Sequence, residues 1–167
     1  HIQADFCKSF FLLQNKPGSF KINLRFFIER PTQKGEHMKT RRLGKTNLQV
    51  SEIGFGGEWL ERHPEEESIE LIRYASSKGI NILDCWMPDP KSRTIIGEGI
   101  KDNREQWFIQ GHLGSTWKDG QYYRTRDLNY VKPAFEDLLT RLQTDYIDLG
   151  MIHYVDAEEE WEQIQTS

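Results

Sequence analysis

Three side chains in this sequence could move a proton or grip a small polar ligand, and they stand at matching places. Asp84 lies in Asn81-Ile82-Leu83-Asp84-Cys85-Trp86, His112 closes Phe108-Ile109-Gln110-Gly111-His112, and His153 closes Met151-Ile152-His153. Each lies at or near the end of a short apolar run. A carboxylate can hold a proton or a cation, and imidazole, with a reference pKa of ~6.5, titrates closest to neutrality. Taken singly, such residues are more often structural: a His packs beside a strand, and an Asp caps the next helix. Three at equivalent places on successive strands favour one shared site. Asp84, His112 and His153 could alternatively hold zinc or iron, which would mean metal-assisted chemistry. Gly56 and Gly57 close an earlier run and allow a ligand close to the backbone. Gly54-x-Gly56 is not a dinucleotide fingerprint, because no helix comes directly after it. Trp59, Trp86 and Trp117 stand just past run ends and either line an apolar site or pack loops.

These residues need elements to position them. Arg41 to Leu43 and Leu48 to Ser51 read as a hairpin around Gly44-Lys45-Thr46-Asn47, and Glu52 to Gly57 as a further extended piece. Pro64 opens a helix with Glu65 to Glu67 in its first turn, an apolar stripe of Ile69, Leu71, Ile72 and Ala75, and Gly79 as its stop. Ile80 to Trp86 is a strand. Ser92 to Lys101 is a short helix with Ile95, Ile96, Gly99 and Ile100 inward. Trp107 to Leu113 is a strand. Leu128 to Leu142 is the longest helical run, but Pro133 places the regular helix from about Lys132. Tyr146 to Val155 is a strand, and Glu158 to Gln165 a helix. The order is a hairpin and then four βα units. Apolar strands alternating with helices point to a parallel sheet covered by helices. Four βα units are half of a (β/α)8 TIM barrel; a doubly wound sheet is the alternative from pattern alone.

The chain has 167 residues, against the ~250 typical of a complete barrel of this kind. Residues 1–37 differ in kind. They hold six of the nine Phe, show no sustained period, and carry six Lys/Arg against three Asp/Glu, a local +3. With a net charge of −4 overall, residues 38–167 carry −7, which argues against nucleic acid as a partner. Lys34-Gly35-Glu36-His37 directly before Met38 can be encoded by a purine-rich bacterial ribosome-binding sequence. We therefore expect 1–37 to be a non-native leader of translated upstream sequence, or a disordered segment, with the domain being 38–167; the alternatives are a weak signal core at Phe10 to Leu13, which lacks a small-residue cleavage site, and a β-hairpin over Phe20 to Ile28. No apolar run reaches the ~20 residues of a membrane span. Two cysteines, Cys7 and Cys85, form no disulfide framework or metal spacing, as expected in a reducing cytoplasm.

The stretch Arg42 to Gly57, the strand Gly79 to Asp84, Gly97-Glu98, and above all Leu139-Thr140-Arg141-Leu142-Gln143-Thr144-Asp145-Tyr146-Ile147-Asp148-Leu149 running into Ile152-His153 resemble the aldo-keto reductase family. The resemblance covers Met38 to about Trp161. It implies an NAD(P)H-dependent oxidoreductase acting on small carbonyl or alcohol substrates, with Asp84 as the family's Asp, His153 as its His, and Gly56, Gly57 and Asp84 near the cofactor. It also implies that the groups holding the NADP phosphates come mainly from strands beyond this chain, so these residues alone should be inactive. The family's Tyr-Gly, five residues after the Asp, reads Asp89-Pro90 here. Its Lys reads His112. The catalytic candidates are thus Asp84, His153, His112 and Asp89. Tyr122, Tyr123 or Tyr154 could replace the missing phenol, with no positional reason to prefer one. The departures resemble a bacterial branch whose C-terminal region carries an iron–sulfur cluster. A non-catalytic, nucleotide-binding regulatory barrel is the other reading that the missing Tyr and Lys leave open.

Overall fold

The computed structural model describes residues 38–166; the expectation of a leader over 1–37 lies outside them. Strands β1 (Thr40–Arg42) and β2 (Gln49–Ser51) form the antiparallel hairpin, with Thr40 opposite Ser51. Asn81 ties the hairpin to the start of the next strand but one: its side chain accepts from Ser51 N at 2.7 Å and donates to Gln49 O at 3.0 Å.

Four strands form one parallel sheet in the order β3 (Phe55–Gly56), β4 (Ile82–Cys85), β5 (Phe108–Leu113) and β8 (Leu149–Ile152). Asp84 stands level with Gly56 and Gln110, and His112 with Met151. Strand alternation divides the side chains between two faces. Leu83, Cys85 and Ile109 enter the core with Ile72, Ile95, Ile96, Ile100, Leu138 and Leu142. Asp84, Gln110 and His112 take the opposite face, where their polar atoms meet one another.

The core-side helices are α1 (Glu65–Ser77), α2 (Pro90–Ile100) and α3 (Leu128–Leu142). α1 starts after Pro64 with three glutamates at its positive end and stops before Gly79, whose φ of +84° favours glycine. α1 packs on α2, and α2 on α3. All three thus cover one face of the sheet, as in a barrel and unlike a doubly wound sheet. α4 (Glu158–Gln165) comes after β8. No helix of the described residues is long and apolar enough to cross a membrane.

The structure corrects one expectation and adds one element. α3 begins at Leu128, with Pro133 inside it rather than in its first turn. Asp127 makes the early start possible: its carboxylate accepts from Asn129 N at 2.9 Å, and its carbonyl from Tyr130 N and Val131 N. The added element lies in 115–124, to which the sequence pattern assigns no element. β6 (Ser115–Lys118) and β7 (Gln121–Arg124) form an antiparallel hairpin turning on Asp119 and Gly120, with φ of 51° and 77°. Both central residues have positive φ, as a type I′ turn requires.

Candidate active site

The site is built where the parallel strands end. Asp84 projects from β4, and Gln110 and His112 from β5. His153 stands just past β8, where its backbone N–H still bonds Leu113 O at 2.9 Å. The side chains form a series. His112 Nε2 lies 3.0 Å from Asp84 Oδ1, His112 Nδ1 lies 2.9 Å from His153 Nδ1, and His153 Nε2 lies 2.8 Å from Tyr122 Oη. Gln110 Nε2 donates to Asp84 Oδ1 at 3.0 Å and lies 3.1 Å from His112 Nε2.

Trp86 lies face to face with His153, centroids 5.5 Å apart and planes at 7°, and meets Tyr122 edge-on. Ser115 Oγ donates to Trp86 O at 2.8 Å, joining the β6–β7 hairpin to the end of β4. On the other side, Arg124 pairs with Asp156 and Glu160. Arg126 donates to the carbonyls of His153 and Tyr154. Tyr122 itself meets Trp86 and His153 and stays partly exposed, 37%, while Arg124 and Arg126 tie the strand and loop beside it to the residues after β8.

This packing sets the charges. Burial, with His112, Arg126 and Arg124 nearby, pulls His153 down to about 4, so it is neutral at physiological pH and carries one N–H. Burial raises the Tyr122 phenol above its usual value, partly opposed by Arg124, so it remains protonated. Burial also raises Glu58, against a hydrogen bond from Trp86.

The structure brings together Asp84, His112 and His153. It sets Asp89 apart: that carboxylate accepts from Ser92 N at 2.8 Å and caps α2. Gly57 serves the sheet itself, because a Cβ there would lie 2.7 Å from Asp84 O and 2.8 Å from Ile96 Cδ1. Gly56 is exposed beside Asp84. Trp86 is part of the site, whereas Trp59 lies under the Arg62 guanidinium and Trp117 is on the hairpin. Sequence reasoning misses Gln110 and Glu58. The two-residue alternation from His112 is a signal for Gln110; Glu58 has none. A metal fits poorly: the acid and both imidazoles bond in a line, and no three His, Cys, Asp or Glu among the described residues form a group that could hold one.

Parallel βα units with titratable side chains gathered beyond the strand ends define a barrel-type enzyme scaffold. The family model described as Aldo/keto reductase family matches residues 52–166, and the chain belongs to that family. It is 33% identical over 120 residues to the uncharacterized oxidoreductase YqkF of Bacillus subtilis, covering 70% of this chain and 39% of that protein. Among solved structures it matches the holo form of aldo-keto reductase AKR11C1 from Bacillus halodurans with a TM-score of 0.66 and 31% identity, over 77% of this chain and 45% of that one. An aldo-keto reductase from Klebsiella pneumoniae, solved in complex with NADPH, shares the fold at a TM-score of 0.58 and 20% identity, over the same shares of the two chains. The chain therefore spans less than half the length of these relatives and carries the hairpin and first four strands of their (β/α)8 fold.

Proposed function

We propose that the protein carrying these residues is an NAD(P)H-dependent oxidoreductase acting on small carbonyl or alcohol compounds, with a proton-handling set that departs from the family's. The observation that carries this reading is the hydrogen-bonded series Asp84–His112–His153 at the ends of three neighbouring parallel strands. When bound, a nicotinamide cofactor supplies the hydride, and reduction of a carbonyl then needs one proton. The donor set fits that requirement. Neutral His153 can pass a proton from one ring nitrogen to the other, and His112 bridges it to Asp84. Gly56 and Asp84 would lie against the cofactor, and Gly57 brings their strands together. Family membership, the name of the Bacillus relative and the NADPH complex of the Klebsiella protein support the cofactor class. No iron–sulfur cluster enters the reading, and Cys85, a buried thiol pushed up to about 12, is unsuited to ligate one. A reducing cytoplasm accords with that free thiol.

A nucleotide-binding barrel without turnover is the second reading, favoured by Asp89 acting as a helix cap where the family's phenol would stand. One experiment separates them. Full-length protein is mixed with NADPH and a panel of small aldehydes and ketones, and loss of NADPH absorbance is monitored. We expect consumption that falls by ~10²-fold or more in His153→Ala. NADPH that binds but is never consumed refutes the reductase.

A further inference from the structure

We propose that Tyr122, on the β6–β7 hairpin, is the residue that delivers the proton to the carbonyl oxygen, resupplied through His153 and His112. This rests on the oxidoreductase reading above.

The phenol missing from the end of β4 has a replacement. Tyr122 Oη is 2.8 Å from His153 Nε2. Tyr123 instead packs its ring against Tyr130, under Lys118. Tyr154 lays its ring beside His153 but is 62% exposed. Only Tyr122 of the three bonds the series through its hydroxyl.

Counting protons allows two arrangements of these hydrogen bonds, and the proposed one has His112 donating to His153. His153 is neutral and has one N–H. Its Nδ1 sits 2.9 Å from His112 Nδ1, and one of these two nitrogens must donate. When His112 donates, with its Nε2–H on Asp84, the single proton of His153 is on Nε2 and points at Tyr122 Oη. The hydroxyl hydrogen of Tyr122 is then free to point away, toward a substrate. The raised titration of the phenol keeps that hydrogen in place at neutral pH.

The step balances. When hydride addition leaves charge on the carbonyl oxygen, the Oη–H bond of Tyr122 breaks and an O–H bond forms on that oxygen. The Nε2 proton of His153 passes to Tyr122 Oη, and the Nδ1 proton of His112 passes to His153 Nδ1. In this arrangement His112 starts with a proton on each nitrogen, one facing Asp84 and one facing His153; it ends with the Nε2 proton alone and takes the second from a solvent acid, the one proton that the reduction consumes overall. Trp86, stacked on His153 and edge-on to Tyr122, and the anchoring of Arg124 hold the donor still, as such transfers require.

The test uses the full-length protein. Tyr122→Phe should lower kcat for carbonyl reduction by ~10²-fold or more with NADPH affinity unchanged, whereas Tyr123→Phe should retain wild-type kcat. Nitrogen-15 NMR of the wild-type imidazoles should show His153 protonated on Nε2 and bare on Nδ1. A wild-type protein that turns over while Tyr122→Phe matches it overturns this proposal and leaves the reductase reading intact. So does a His153 protonated on Nδ1, whose Nε2 would draw the phenol hydrogen inward. A wild-type protein that binds NADPH and never consumes it overturns both.

Discussion

Gly97→Ala should destabilise the protein, although alanine is the better helix former by ~1 kcal/mol. Gly97 lies in α2 where α3 crosses it. A Cβ there would stand 2.0 Å from Arg141 O and 3.1 Å from Leu142 Cα, backbone atoms that no rotamer change can move. Reaching ordinary contact at 3.4 Å requires the helices to part by about 1.4 Å. Parting them brings two losses. Arg93, 2% exposed, donates to Ala134 O at 2.9 Å and to Asp137 at 3.0 Å across this seam, and both bonds break. A buried donor left unpaired costs ~1–3 kcal/mol. Leu138 and Leu142, fully buried at the same seam, are worth ~2 kcal/mol each, and a gap of this size forfeits a quarter to a half of their contacts, ~1–2 kcal/mol together. Net of helix propensity, the loss is ~1–4 kcal/mol. Equilibrium urea unfolding measures it as a lower midpoint at unchanged slope. Gly150→Ala, where a Cβ meets nothing within 4 Å, is the control and should stay within ~0.5 kcal/mol of wild type. A Gly97→Ala protein as stable as wild type would refute the close-crossing account.

His153 makes stability depend on pH: it titrates near 4 when folded and near 6.5 when unfolded, so the unfolded chain holds the extra proton between those values. Stability should therefore be flat above pH 6.5 and fall as pH drops toward 4, and His153→Gln should flatten that slope in thermal melts across the range. Asp89→Ala should cost ~1 kcal/mol in urea unfolding, whereas Asp89→Ser, which still caps α2, should retain both stability and kcat; loss of kcat in the serine variant would return Asp89 to the chemistry. In a Cys7→Ser protein, Cys85 should resist iodoacetamide until denaturant is added, read by mass; rapid native labelling would contradict a buried thiol held near 12.

Most of the frame is legible in the sequence because local rules and tertiary packing agree. Asp84, His112 and His153 stand out at strand ends since each lies at or near the close of an apolar run; the α2 stripe is buried throughout, and of the α1 stripe Ile72 and Ala75 are buried while Ile69 and Leu71 are half-buried. Pro133 misleads because its lost backbone donor argues for a late helix start, while the cap at Asp127 holds the earlier turn closed through the amides of Tyr130 and Val131. The β6–β7 hairpin has a strong turn signal in Asp119-Gly120, flanked by Trp117 and by Tyr122-Tyr123, yet the surrounding parallel pattern hides it. Tyr122 cannot be chosen from sequence at all: its place depends on contacts from β4 and the end of β8, which are remote in the chain. Asp89 shows the converse. Its position in the family motif suggests chemistry, whereas its neighbour Pro90 and the amide of Ser92 make it a cap.

The hairpin that carries Tyr122 begins and ends at one place: Thr125 N bonds Gly114 O at 3.1 Å. Its two ends thus lie about as far apart as neighbouring strands in a sheet. Such an insert can be cut out or exchanged while the chain on either side keeps its course from β5 to α3. An acid fixed to a barrel strand is bound to the architecture for good; an acid on a closed detour is a replaceable tip. Redesigning the ten residues 115–124 is accordingly a route to changing the proton donor, and with it the shape of the entrance, without rebuilding the barrel beneath.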